Sequence, residues 1–449
     1  MGICGPKKAV GCLSVVRRAQ QRWEGGGGSV SCVDGWRSLA ANARRVVRRA
    51  ITWGDDPMQD GKVRELSSSR TRAALRVALL AGMLAAGSMH APLAGATGMV
   101  YPSETGPLRV TEVARGLESP WALAFLPDGR MLVTERPGRM RIVDTAGRVS
   151  EPIAGVPEVH ARGQGGLLDV ALAPDFDRDR LIVFSYAEPT ARGARTAVAR
   201  ARLDVDGLRL EDVRRIFAQD EDPAGNHHWG SRLVFGRDGR LFVTLGDRFH
   251  HRERAQALDS HLGKVVRIDP DGGVPADNPL VGRAGVRGEI WSWGHRNVQG
   301  AALHPRTGEL WTHEHGPQGG DEINRTLGGR NYGWPEITYG REYVTGRKIG
   351  AGSEREDVAA PVLQWTPSIA PSGMAFYTGD AFPQWQGNLF VGALKFQLLA
   401  RLVLDGERVV REERLLEGLG RIRDVRQGPD GRLWLLDESA GRVLRIDPQ

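Results

Sequence analysis

Cysteine is nearly absent: the chain has three in 449 residues, Cys4, Cys12 and Cys32. That excludes a disulfide-stapled scaffold and any Cys-rich zinc or iron–sulfur centre. No apolar run reaches the roughly 18 residues that a bilayer-spanning helix needs, so no stable membrane anchor is expected. What is present reads as globular, with 41% hydrophobic and 26% charged residues. The length supports a sizeable core, as two or three domains or as one large repeat architecture. With 59 glycines and 25 prolines the chain is rich in turns, which favours many short strands over long helices.

The charge balance, 61 Lys+Arg against 54 Asp+Glu, invites a nucleic-acid or anionic-membrane partner. Its distribution argues otherwise. Residues 1–96 hold 15 Lys/Arg and 6 Asp/Glu, a surplus of nine, and residues 97–449 hold 46 and 48, a deficit of two. All three cysteines also lie in the first part. Two compositions therefore meet near residue 97, and no nucleic-acid partner is expected for the larger one.

The first part carries an export address. Arg70, Arg72 and Arg76 precede the apolar stretch 77–86, and small residues follow, ending Ala94-Gly95-Ala96. A basic region, a short apolar core and an Ala-x-Ala exit make a secretory signal peptide. No cysteine follows the apolar stretch, so lipid anchoring is not indicated, and none of the Arg pairs upstream leads a twin-arginine motif. Such a signal does not begin some 75 residues into a chain. The reading is therefore a start at Met58, a signal peptide over 58–96, and residues 1–57 as an upstream extension. Residues 1–97 are then a non-core leader, and 98–449 a single catalytic domain exported to the periplasm or beyond. A Cys-free mature chain suits such an oxidising compartment.

From residue 107 one pattern recurs: an alternating apolar strand, an Asp-Gly or Pro-Gly turn, then a second strand. Residues 121–126 lead through Pro127-Asp128-Gly129 into 130–134; residues 232–235 lead through Asp238-Gly239 into 241–245; residues 423–426 lead through Pro429-Asp430-Gly431 into 433–436. Residues 167–184, 298–312 and 372–391 repeat the theme with looser turns. Several hairpins continue into a third strand. Six repeats of roughly 45 to 80 residues predict an all-β, six-bladed β-propeller with four-stranded antiparallel blades. The opening strand, 108–113, has no turn partner and is expected to complete the last blade, closing the ring.

In an antiparallel hairpin the residue before the first strand and the residue after the second share one end. One face of the propeller should therefore gather Gln164, His227-His228, His295-Arg296-Asn297, Arg421 and Arg423 with Glu135-Arg136, Asp247-Arg248, Glu314 to Pro317, Lys395 and Asp437-Glu438. The turn face carries only generic Asp, Arg and Gly. The gathered face should bind something anionic and do proton chemistry there.

These segments resemble the glucose/sorbosone dehydrogenase family, the soluble pyrroloquinoline quinone (PQQ)-dependent aldose sugar dehydrogenases, over about residues 108–447. The resemblance rests on Gly163-Gln164-Gly165-Gly166-Leu167-Leu168-Asp169-Val170, Asn226-His227-His228 with Arg232-Leu233-Val234, and Leu245-Gly246-Asp247. Gly294 to Gly300, Glu314-His315-Gly316-Pro317 with Asp321 to Asn324, Asn331-Tyr332-Gly333-Trp334-Pro335 and Leu394-Lys395 complete it. It implies oxidation of aldose sugars at C1 to aldonolactones, with PQQ and calcium as cofactors and an external electron acceptor, a quinone or a cytochrome. It further implies that Lys395, Arg421 and Arg423 bind the PQQ carboxylates and that Gln164, Asn297, Arg296 and Gln256 contact PQQ. Calcium would rest on the backbone carbonyls of Gly316 and Pro317. His228 matches the general base. Asp247 would orient it and raise its proton affinity, and Arg296 would stabilise charge on the reduced cofactor.

Two departures stand out. His227 occupies a position where glucose-oxidising members carry an acid that touches sugar. The segment 367–372 is short, which predicts an open site and broad aldose specificity. Two other functions fit a propeller: a calcium-dependent lactonase or hydrolase, with His250-His251 or His313 and His315 as ligands, and a non-catalytic binding propeller. The basic mouth disfavours the first and the retained base and cations the second. A monomer or weak homodimer is expected.

Overall fold

The computed structural model describes residues 98–449, so the expected leader, the signal peptide expected over 58–96 and the cysteines lie outside the described residues. Six antiparallel sheets form a six-bladed β-propeller. Strands β1 (Met99–Tyr101) and β2 (Leu108–Arg115) precede blade 1, which holds β3 (Pro120–Phe125), β4 (Met131–Glu135) and β5 (Arg139–Val143). Blade 2 holds β6 (Leu167–Leu172), β7 (Leu181–Pro189), β8 (Ala194–Asp204) and β9 (Arg209–Ala218). Blade 3 holds β10 (Leu233–Phe235), β11 (Leu241–Thr244), β12 (Lys264–Ile268) and β13 (Ile290–Trp293). Blade 4 holds β14 (Val298–Leu303), β15 (Leu310–Glu314), β16 (Asp321–Arg325) and β17 (Leu363–Trp365). Blade 5 holds β18 (Pro371–Phe376), β19 (Leu389–Ala393), β20 (Leu398–Asp405) and β21 (Arg408–Leu415). Blade 6 holds β22 (Ile422–Gln427), β23 (Leu433–Asp437) and β24 (Arg442–Pro448).

The first strands β3, β6, β10, β14, β18 and β22 pack on one another in that order, and β22 returns to β3. Strand β2 runs antiparallel along β24, with Arg109 opposite Asp447, so the N-terminal strand completes blade 6 as expected. Two blades depart from four strands. Blade 6 gains β1 as a fifth strand outside β2. Blade 1 has three, its fourth position reduced to a single bridge between Val143 and Val149. The chain beyond that bridge contains Pro152 and Pro157, which lack the N–H that a ladder needs.

The repeated Asp-Gly turns have one mechanism. Asp128, Asp238 and Asp430 each accept, through a side-chain oxygen, the N–H two residues on, from Arg130, Arg240 and Arg432 at 3.0 to 3.1 Å. The intervening glycines hold φ of +84°, +77° and +70°, the region where a Cβ is costly. Strands β4, β11, β15, β19 and β23 are buried along their whole length. Each is covered by a neighbouring blade on both sides, which is why these strands read as nearly unbroken apolar runs.

Polar side chains clasp each blade to the next. Thr134 donates to the Leu168 carbonyl (2.6 Å), Ser185 to Ser231 (2.7 Å) and Thr244 to Val298 (3.0 Å). His313 donates to the Ser372 carbonyl and the Ser372 hydroxyl to the Ile422 carbonyl. Asp424 accepts the Leu123 N–H at 3.0 Å, closing the circuit. His313 is thus a structural residue inside β15.

The channel is crossed by buried ions. Arg232, at the entry to blade 3, pairs with Asp169 of blade 2 (3.2 Å) and with Asp424 of the opposite blade 6 (3.0 Å). Arg426 of blade 6 pairs with the same two carboxylates at 3.0 and 2.9 Å. Arg232 also donates to the carbonyls of Gln299 and Arg423 and lies 4.2 Å over the Trp121 ring. Contacts between opposite blades necessarily span the axis, so this quartet floors whatever lies above it.

Candidate active site

Above that floor is a cavity of about 550 Å³ whose lining includes Arg136, Gln164, Asn297, Lys395, Arg421, Arg423 and Glu438. The face predicted from hairpin polarity is the face that carries it. Four cations meet one carboxylate. Glu438 accepts from Arg423 at 2.9 Å and from Arg421 at 3.4 Å. Burial alone would raise its carboxyl, but these two guanidinium groups outweigh it and hold Glu438 below the usual carboxylate range. Burial pulls Arg423 below its ordinary value despite Glu438. Its Nε is buried with no hydrogen-bond partner. Lys395 is solvent-exposed, its ammonium 5.3 Å from the Phe396 ring. The surplus of positive charge calls for an anionic ligand.

Beside the cavity, residues 225–231 form the loop that carries His228. His228, Gly230 and Ser231 have φ of +53°, +63° and +94°, and left-handed non-glycine residues cost about 1–3 kcal/mol each. Hydrogen bonds hold the loop there. The His228 N–H donates to Gln164 Oε1 at 2.8 Å and the Gly230 N–H to Asn297 Oδ1 at 3.1 Å. Both amides thus use their oxygens on the loop and keep their NH₂ donors, which suits an acceptor-rich ligand. A Cβ on Gly246 would lie 2.2 Å from the His228 oxygen, so the close approach of the segment leading to Asp247 requires glycine there.

His228 Nδ1 lies 2.6 Å from Asp247 Oδ1. The carboxylate must accept, so the proton sits on Nδ1 and Nε2 keeps its lone pair. Asp247 is fully buried and fully employed: Oδ1 also accepts the Phe249 N–H and Oδ2 the Trp334 indole N–H, both at 2.8 Å. Burial would raise the Asp247 carboxyl, but His228 and Arg296 lower it further, so it stays ionised. The expectation that Asp247 raises the base's proton affinity holds for its own contribution and fails for the sum. Burial and then the Arg296 charge push His228 down to about 4, against the opposing pull of Asp247. His228 is neutral at neutral pH.

Arg296 stands apart from the cation cluster. Its Nη1 donates to the carbonyls of His315 and Gly316, both at 2.9 Å, and its Nη2 to the Tyr343 hydroxyl at 3.2 Å. It lines a second hollow of about 250 Å³ with Phe249, His250, Pro317, Trp334 and Tyr343. His250, itself exposed, is part of that border. Gln256 is not among the residues lining the large cavity. Its amide is spent on Asn331 (3.0 and 2.8 Å) and on the Trp334 carbonyl (2.8 Å), so it braces the tryptophan that holds Asp247.

Four contributors were given no role of their own from the sequence. Trp334 sits in a motif that was noticed but given no role. Glu314 accepts the Arg296 N–H at 2.5 Å and bonds His295 Nδ1 at 2.8 Å, fixing the backbone behind the cation. Phe249 and Tyr343 lie in loops whose pattern carried no signal. The segment 336–358 also tempers the expectation of an open site: its Glu342, Tyr343 and Ile349 line the small hollow, tied by Tyr343 to Arg296 and by Glu342 to Arg252 at 2.7 Å. Among the described residues no group of three or more His, Cys, Asp or Glu is placed to hold a metal ion.

The family model described as glucose/sorbosone dehydrogenase matches residues 117–445. The chain belongs to that family. Aldose sugar dehydrogenase YliI of Escherichia coli is 48% identical over 339 residues, covering 74% of this chain and 91% of the relative. The apo-form structure of the soluble aldose sugar dehydrogenase from Escherichia coli superposes with a TM-score of 0.74 at 46% identity, over 76% of this chain and all of that one. The PQQ-bound form of aldose sugar dehydrogenase from Streptomyces coelicolor gives a TM-score of 0.63 at 31% identity, over 76% and 98%. This glucose/sorbosone dehydrogenase family member is a sugar-oxidising oxidoreductase. Among its described residues no helix is long and apolar enough to cross a membrane.

Proposed function

We propose that this chain oxidises aldoses at C1 to aldonolactones with PQQ and calcium, His228 acting as general base. One observation carries the reading: a neutral, carboxylate-oriented imidazole with a free Nε2 stands beside a cavity lined by four cations and one carboxylate. The cavity suits a planar tricarboxylate. Lys395, Arg421 and Arg423 supply the charge, the unpartnered Arg423 Nε and the amide NH₂ groups of Gln164 and Asn297 supply donors, and about 550 Å³ supplies room. The Gly316 and Pro317 carbonyls suit a hard cation, but they bring no charge, and Gly316 already accepts from Arg296. Calcium retention is therefore expected to depend on the cofactor's own carboxylates.

When bound, PQQ supplies a two-electron acceptor for the hydride leaving C1, and calcium supplies Lewis-acid polarisation. The chain's part is proton handling and orientation. His228 Nε2 takes the proton of the anomeric hydroxyl as C1 loses hydride, which closes the lactone carbonyl. Asp247 fixes the tautomer and the ring angle, and its charge balances the imidazolium that forms. Arg296, anchored on two carbonyls, would offer a fixed cation to negative charge developing on the reduced cofactor. We further propose export through the signal at 58–96, an external quinone or cytochrome as acceptor, and a monomer or weak homodimer.

The deciding experiment is reconstitution. The chain from residue 97, given PQQ and calcium, should reduce an artificial dye only when an aldose is present, and removing either cofactor should abolish the reaction. No activity with any aldose, together with no PQQ binding, would overturn the proposal.

The pH dependence follows from the sign of the His228 shift. The base works only when unprotonated, and burial and Arg296 depress its proton affinity to about 4. On the loaded enzyme kcat/KM should stay flat through pH 6.5 and fall only as the pH approaches 4. Arg296→Gln removes the neighbouring cation and should move that fall upward. An acid limb centred at or above 6.5 in the wild type would contradict this assignment.

A further inference from the structure

Arg248 and Phe249 are consecutive residues in the left-handed region, with φ of +59° and +67°. For bulky side chains that conformation is an outlier, and outliers of this kind persist where the surroundings or a function require them. Arg248 has a visible local reason. Its guanidinium carbon lies 3.2 Å over the Trp229 ring and its Nη2 donates to the Gly225 carbonyl at 2.6 Å, bracing the loop that carries the base. Phe249 has half a reason: its N–H donates to Asp247 Oδ1 at 2.8 Å. Glycine would make that bond without strain, so the ring itself remains to be explained.

The ring is 37% exposed. It stands edge-on to the His228 imidazole at 5.1 Å and 70°, with His227 at 5.6 Å and His250 at 4.9 Å. Tyr343, itself 48% exposed, lies roughly parallel to it at 6.4 Å and 26°. The two rings border the hollow of about 250 Å³ that also receives Arg296 and the Arg252–Glu342 ion pair. An apolar ring held in a costly conformation beside a neutral base, with charged groups at the hollow's edge, matches the chemistry of a pyranose. Such a sugar offers an apolar face of C–H bonds to an aromatic ring and hydroxyls to donors and acceptors around it.

We propose that Phe249 is a specificity-determining residue: its ring is the shelf on which the C–H face of the aldose lies while C1 is presented to His228. This rests on the assignment of His228 as the base. The shelf favours aldopyranoses whose hydroxyls are all equatorial, because an axial hydroxyl lifts the C–H face off the ring. Glucose should therefore depend on Phe249 more than mannose or galactose, each of which carries one axial hydroxyl.

The test uses the chain loaded with PQQ and calcium and compares Phe249→Ala, Phe249→Gly and Phe249→Tyr. Glycine relieves the backbone strain, so it separates loss of the ring from loss of fold, and tyrosine keeps the shelf. With Phe249→Ala and Phe249→Gly the KM for glucose should rise roughly five- to ten-fold, as loss of an aromatic contact implies, with kcat and PQQ affinity little changed. The rise for mannose and galactose should be smaller, and Phe249→Tyr should restore the wild-type KM. An unchanged glucose KM in both truncated variants, or an equal loss for all three sugars, overturns the shelf while leaving His228 as base. A wild-type enzyme inert toward every aldose overturns both.

Discussion

Replacing His228 by alanine is expected to lower kcat by about 10²- to 10⁴-fold, the usual contribution of a positioned general base, and to leave PQQ affinity almost unchanged. The two effects separate because the side chain and the backbone of residue 228 do different things. The imidazole holds the free Nε2 on which proton abstraction would depend under the proposed function. The backbone N–H, which alanine keeps, donates to Gln164 and so fixes a group facing the cofactor cavity. Asp247 loses one donor but retains the Phe249 N–H and the Trp334 indole, so its charge stays solvated by the protein. Stopped-flow dye reduction gives kcat, and a direct PQQ titration gives affinity. Equal losses in both would show that the residue shapes the cavity and does not handle the proton.

Lys395→Ala should do the reverse. PQQ affinity should fall by roughly 10- to 100-fold, the worth of one hydrogen bond to a charged group, while kcat at saturating cofactor changes little. Arg421 and Arg423 already share Glu438, so part of their charge is spent within the protein. Lys395 is solvent-exposed, with the Phe396 ring beside it. Its charge is available to a ligand carboxylate, and the ordering of its flexible stem is the cost. Because the ammonium is exposed, the loss should shrink as ionic strength rises. A kcat effect larger than the affinity effect would place Lys395 nearer to the reacting atoms than the cavity geometry does.

Much of this architecture was legible in the amino-acid order. The Asp-Gly turns recur because an aspartate oxygen and a left-handed glycine solve the same local problem each time. The polarity of a hairpin then dictates which residues share a face, which brought Gln164, His228, Asn297, Lys395, Arg421 and Arg423 together before any coordinates. In blade 1 the fourth position shrinks to the Val143–Val149 bridge, and prolines 152 and 157 lie where that strand would continue. The sum of forces on His228 was hidden for a different reason. Residue types reveal that a carboxylate is near, but not how completely the pair is withdrawn from water or that Arg296 stands beside it. The aromatic pair Phe249 and Tyr343 left no trace in any pattern, since one lies in a strained turn and the other in an irregular loop. Gln256 was placed in the cavity on resemblance, and its amide instead serves Asn331 and Trp334 one layer behind.

The ion quartet under the cavity turns a ring with a hole into a cup. Arg232 and Arg426, clamped between Asp169 and Asp424, close the axis from opposite blades. A cup has one rim. Whatever visits the cavity must come and go over the same edge, so on the proposed function sugar, lactone and electron acceptor would compete for a single doorway.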